Sequence, residues 1–298
     1  MQDEVVTEGS GGLRLPAVRT NTGSRPSFTG VAPHGSPPKP NKMPSPPGAA
    51  GAKKDGDQTS IIIESNAELL KAERPEERVV HEIVGCLKMK SSMLAMGACE
   101  RVKKIARVYP VEVANSAIME ELVGCLKEGP ATALAGAVMQ ALSIMALNPE
   151  GRQRVCLAGA AGPLIRFIRT SDLSRPNLDR AVTLLMNLAA DQTNRRTIRE
   201  EGGVEALVEL LRVAPIGESI MEHALGALHN LALMDAKSRS RAMEAGVLLP
   251  LVRIVTCKGL PDADMCGVRG RMILTELLKM PETEERLAAA AMELGVRI

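Results

Sequence analysis

At 298 residues, 45% hydrophobic and 24% charged, the chain has the composition of a soluble globular protein, with length for one large or two ordinary domains. The 37 basic and 35 acidic residues leave a formal charge of +2, too small to drive the whole chain onto nucleic acid or a membrane surface. One Tyr, two Phe and no Trp argue against a core filled by aromatics and favour short helices packed through Leu, Ala, Val and Met.

The N-terminus, MQDEVV, is acidic and lacks the cationic-then-apolar plan of a signal peptide. Gln2 stands where myristoylation requires Gly, and the final GVRI has no Cys to prenylate. No apolar run reaches the roughly 18 residues that span a bilayer, so a soluble, cytoplasmic protein is expected, with no membrane partner. Residues 1–58 are rich in Pro, Gly, Ser and Lys and have too little apolar surface to offset the entropy of ordering. A disordered tail is therefore expected there. Between Gly9 and Lys54 it carries Arg14, Arg19, Arg25, Lys39, Lys42, Lys53 and Lys54 and no acid. Pro37, Pro40 and Lys42 fit P-x-x-P-x-K, an SH3-type contact, although a plain spacer reads the same way. Ser36-Pro37 and Ser45-Pro46 fit proline-directed phosphorylation.

Residues 59–298 read as an all-α array. Ser60 is placed to cap a helix over Ile61–Glu73, and Pro75 interrupts it. Apolar periods of 3.6 then follow, separated by Gly or Pro, with no convincing strand alternation. The array repeats itself. Leu207 falls on Leu164, 43 residues earlier, and the same offset carries Gly202 onto Gly159, Asn230 onto Asn187 and Arg195 onto Arg152. One unit on, Gly246 falls on Gly202 and Leu251 on Leu207 at 44; upstream, ELVGCLK from Glu121 repeats EIVGCLK from Glu82 at 39. Within the best unit a first helix spans Thr193–Glu201 and ends at Gly202-Gly203. A second, Val204–Val213, presents Val204, Leu207, Val208 and Leu211. A third, Glu218–Leu233, presents Ile220, Ala224, Ala227, Leu228 and Leu231. One unit cannot cover those faces alone, so neighbours must stack.

The third-helix endings LLMNLAAD (Leu184–Asp191) and LHNLALMD (Leu228–Asp235), each followed by an Arg-bearing helix and a Gly turn, resemble the armadillo repeat. NRRTIREEGGVEALVELL (Asn194–Leu211) resembles the pattern of plant-type and U-box-associated armadillo domains, although no U-box is present and ligase activity cannot be assigned from this chain. The resemblance runs from about Glu76 to Met280. It implies a right-handed α-solenoid of about four to five three-helix repeats with terminal capping helices. It also implies a non-enzymatic scaffold or adaptor whose third helices line a concave groove for an extended polypeptide. The alternative is a structural subunit held permanently in a larger assembly, with the tail ordered by partners.

In the family, Asn near the end of the third helix grips a peptide backbone. Asn187 and Asn230 match, whereas Ile144 upstream and Leu274 or Thr275 downstream do not. Thr183 and Gly226 replace the Trp of nuclear-import adaptors, so a receptor of that kind is not expected. The two Asn can instead bond neighbouring backbone and merely shape the repeat. His223, matched to Arg180, either extends the groove or is solvated. Arg152, Arg195 and Arg239 form a column that can hold an acidic partner or pair with Asp191 and Asp235. Cys86, Cys99, Cys125, Cys156, Cys257 and Cys266 form no C-x-x-C and read as buried small hydrophobes, with a disulfide framework or zinc site the lesser alternative. His81-Glu82 opens like H-E-x-x-H, but Gly85 takes the second ligand's place. No cofactor, metal site or catalytic constellation is expected, and without a basic stripe or stacking aromatics no nucleic acid is expected. Deleting residues 1–58 is predicted to leave the thermal unfolding transition, followed by circular dichroism, almost unchanged; a large loss of helicity would show that the tail packs on the array.

Overall fold

A computed structural model describes residues 75–297, apart from 76, 90–91, 130–131, 175–176, 260 and 262–263. The tail, its Pro37–Lys42 motif and the helix expected over Ile61–Glu73 lie outside the described residues. Those described are helical, with no strand among them, and none of their helices is long and apolar enough to cross a membrane.

Among the described residues fifteen helices follow in order. The array opens on a pair, α1 (Glu77–Lys88) and α2 (Ser92–Val108). Four three-helix units come next: α3 (Pro110–Ala114), α4 (Ile118–Glu128) and α5 (Ala133–Met145); α6 (Pro149–Leu157), α7 (Ala161–Thr170) and α8 (Leu178–Ala189); α9 (Gln192–Glu200), α10 (Gly203–Val213) and α11 (Ser219–Met234); α12 (Ala236–Glu244), α13 (Leu248–Val255) and α14 (Met265–Leu277). A last helix, α15 (Thr283–Glu293), packs on α13. Third helices pack in series, α2 on α5, α8, α11 and α14, and second helices do the same from α1 through α4, α7 and α10 to α13. This is the solenoid expected from the repeat, each unit covering the apolar face of the one before.

The second-helix seam has the expected composition: Val204, Leu207, Val208 and Leu211 are fully buried, as are Leu164 and Leu251 at matching positions. The twin segments of α1 and α4 bury Ile83 with Leu87 and Leu122 with Leu126. First and second helices are separated by Gly159, Gly202 and Gly246, at φ of +87°, +82° and +76°. L side chains are strained in that left-handed region, so Gly recurs at the repeat period.

Helix limits in the best unit differ from the sequence reading by a residue. The Asp191 carboxylate accepts from Thr193 N at 2.8 Å, so α9 starts at Gln192. Glu218 is extended and precedes α11 rather than belonging to it. The early repeat is weak because α3 is cut to five residues starting at Pro110.

Cys99, Cys156 and Cys266 are buried, and Cys86, Cys125 and Cys257 are half-buried. Burial, with a smaller push from neighbouring charge, raises the Cys99 thiol to about 12 and that of Cys156 to about 11, so neither is a thiolate at neutral pH. Among the described residues no cluster of three or more His, Cys, Asp or Glu is placed to hold a metal ion.

Leu207→Ala is predicted to destabilise the array by roughly 2–5 kcal/mol, because the side chain fills a seam shared by successive repeats. A chemical-denaturation midpoint equal to wild type would contradict this.

Candidate functional site

Each corner where a third helix meets the next first helix brings a helix C-terminus and a helix N-terminus together, leaving unpaired carbonyls and unpaired N–H groups. Asn148, Asp191 and Asp235 occupy matching corner positions, and each side chain accepts from backbone N–H groups of the helix it starts. Four residues on, the arginine of the column reaches back. Arg152 donates to Ala146 O (3.4 Å) and Leu147 O (3.5 Å), Arg195 to Ala189 O (3.2 Å) and Ala190 O (3.4 Å), and Arg239 to Ala232 O (2.9 Å) and Leu233 O (3.4 Å). The column therefore closes the third helices, where a cation also suits the negative end of the helix dipole. The ion pairs suggested for it go elsewhere: Asp235 is taken by Arg199, and Asp191 accepts from Gln153 at 3.2 Å. Burial acts to raise both carboxyls. Thr193, Gln153 and Arg152 around Asp191, and Ser238 and Arg199 around Asp235, outweigh it and hold both below the usual carboxylate range.

Asn194 was not marked out by its sequence position, yet it is buried and its amide nitrogen donates to Arg152 O and Leu188 O, each at 3.1 Å. It ties one repeat to the previous one. The same is true of Arg253 on Leu211 O (2.8 Å) and Arg286 on Met243 O (2.9 Å).

The third helices carry two adjoining grooves. The first, about 420 Å³, is bordered by α5, α8, α11 and α14 and is lined by both matched asparagines, Asn187 and Asn230. Asn187 is half-buried, and its side-chain amide has no hydrogen-bond partner among the described residues. Asn230 donates its amide nitrogen to Met186 O on α8 at 3.1 Å, which leaves its oxygen available. One Asn thus bridges helices, as the structural alternative has it, and the other does not. Leu147, Met186, Met265 and Met272 supply apolar surface, and Arg152, His229 and Arg269 complete the wall. Downstream, Leu274 is buried and Thr275 points to solvent, so Met272 rather than either continues the groove. Gly226 forms its floor, where a Cβ would stand 2.6 Å from Met186 Sδ and 3.2 Å from Arg269 Nη1. Arg269 donates to Glu222 O (2.8 Å) and Oε1 (3.2 Å). Burial, then the Arg269 charge, lowers the pKa of His229, which favours the neutral ring in the groove.

The second groove, about 290 Å³, is lined by Lys103 and Arg107 of α2, Gln140, Ser143 and Ile144 of α5, and Arg180 and Thr183 of α8. Thr183 donates to Asp179 O at 2.8 Å and so can only accept from His223 Nδ1, 3.0 Å away. The His223 Nδ1–H also faces Asp179 Oδ1 at 2.9 Å, so His223 bridges α11 to α8 rather than lining either groove.

Residues 191–233 match the family described as the armadillo/beta-catenin-like repeat. No curated protein matches the sequence significantly. Among solved structures, the chain is similar to a designed armadillo repeat protein in complex with the peptide (KR)4, at 21% identity over 70% of this chain and 87% of that one, with a TM-score of 0.61. It is also similar to computationally designed armadillo repeat proteins for modular peptide recognition, at 22% identity over 70% of this chain and 87% of that one, with a TM-score of 0.62. An engineered protein matches 73% of this chain and 54% of its own length at 22% identity and a TM-score of 0.62.

Asn194→Ala is predicted to cost about 1–3 kcal/mol by leaving two carbonyls unpaired in the stack, read as a lower denaturant midpoint at unchanged slope. An unshifted midpoint would show that those carbonyls find other donors. Residues 191–233 match the armadillo/β-catenin-like repeat, and the array that contains them has the armadillo fold.

Proposed function

We propose that this chain is a non-enzymatic cytoplasmic scaffold that holds an extended polypeptide along its third helices, with Asn187 and Asn230 gripping the ligand backbone. The observation that carries the reading is the Asn187 amide, half-buried in the larger groove with its donor and acceptor both unused among the described residues. An extended chain offers N–H and C=O groups all along its length, and an amide side chain answers both. The Asn230 oxygen, one repeat further on, accepts from the same ligand while its nitrogen holds Met186 O. Met186, Met265 and Met272 give the ligand's apolar side chains an adaptable surface. Peptide binding by the designed armadillo proteins of the same fold supports this use of the groove. The grip is short, because no third Asn continues the pair.

The test is the double variant Asn187→Ala/Asn230→Ala, with affinity measured for peptides selected from a random library on the wild-type array. Binding is expected to weaken by about 1–3 kcal/mol, summing roughly 0.5–1.5 kcal/mol per hydrogen bond. Asn187→Ala alone is expected to leave the thermal midpoint in place, whereas Asn230→Ala lowers it slightly through loss of the Met186 contact. Unchanged affinity in a folded double variant would remove both residues from the site.

A further inference from the structure

We infer that the smaller groove receives acidic side chains, so that the polypeptide held by this array is an acidic segment of a partner protein. The inference rests on the groove reading above and adds the ligand's charge. Three cations, Lys103, Arg107 and Arg180, surround one space of about 290 Å³, and no carboxylate among the described residues lines it. Arg107 is exposed and has no ion pair among the described residues. Arg180 is steadied by a neutral group, Asn177 Oδ1 at 2.7 Å, which orients the guanidinium without cancelling its charge. Lys103 has an acid partner, Glu100 at 2.5 Å, but that carboxylate is exposed and stands outside the groove.

The neutral lining points the same way. Lys103 donates to Gln140 Oε1 at 3.1 Å, which occupies the amide oxygen and leaves the amide N–H groups to face a ligand. Ser143 adds a hydroxyl. A wall of cations and donors suits carboxylates, and arginine in particular meets a carboxylate with two parallel N–H groups. Arg107 and Arg180 have no ion pair among the described residues, and an arriving anion relieves the repulsion between such like charges.

The two grooves belong to one track. Thr183 borders the smaller groove and Asn187, one turn further along α8, borders the larger. Helix axes in contact lie ~10 Å apart, and extended chain advances ~3.3 Å per residue, so about three ligand residues cross each repeat. A segment whose backbone meets Asn187 therefore carries neighbouring side chains over Lys103, Arg107 and Arg180. The chain's own tail is a poor occupant, since it has seven cations and no acid from Gly9 to Lys54.

Fluorescence anisotropy on the full chain with three labelled octapeptides tests this: alternating Asp–Glu, alternating Lys–Arg and alternating Gly–Ser. The Asp–Glu peptide is expected to bind best and to weaken as salt rises. Arg107→Ala/Arg180→Ala is expected to reduce its affinity about tenfold while circular dichroism stays unchanged. Absence of Asp–Glu binding, or affinity indifferent to the double arginine variant, overturns the inference. Binding of the Lys–Arg or Gly–Ser peptide instead, lost in Asn187→Ala/Asn230→Ala, overturns the acidic ligand and leaves the groove reading standing. Binding of none of the three, together with failure of library selection, overturns both.

Discussion

A chain that folds back on itself every dozen residues must dispose of helix ends, and in this array the corner between third and first helices does so with two side chains. Asn148, Asp191 or Asp235 accepts from the N–H groups of the incoming helix, while Arg152, Arg195 or Arg239 donates to the carbonyls of the outgoing one. Because both come from one short stretch, the corner is rigid and recurs at the repeat period. Everything else is hung from it. The corner fixes where each third helix points, and the third helices in turn define both grooves.

Beneath the corners, packing is almost wholly aliphatic. Leu164, Leu207 and Leu251 occupy one seam, and the small residues Ala224 and Ala227 of α11 are fully buried where third helices meet. At Gly226 the missing side chain lets Met186 and Arg269 converge beneath the larger groove. The near-absence of aromatic residues in the composition is thus a property of the architecture. Layers this close leave little space for large rings.

Much of this was legible in the sequence because a repeat reports the same environment several times. Gly159, Gly202 and Gly246 share one backbone conformation, so their common spacing carried structural meaning. Leu207 and its counterparts share one buried seam for the same reason. What the offsets did not convey was the direction of a side chain. Arg152, Arg195 and Arg239 were aligned correctly, but a column of cations on paper looks the same whether it faces a partner or a helix end. Asn194 was passed over because it sits in a polar first helix, and only the stack reveals that two carbonyls converge on it. The basic groove was hidden for a different reason. Lys103, Arg107 and Arg180 come from helices two units apart, and no local window contains them together.

The ties between repeats also have a sense. Asn194, Asn230, Arg241, Arg253, Arg269 and Arg286 each donate to a backbone carbonyl of the preceding unit, at Arg152, Met186, Arg199, Leu211, Glu222 and Met243. Arg212, which reaches forward to Ala245 O, runs the other way. A ribosome makes the chain from its N-terminus, so in those six ties the acceptor is synthesised before its donor. Each new unit emerges beside a surface that already offers those carbonyls.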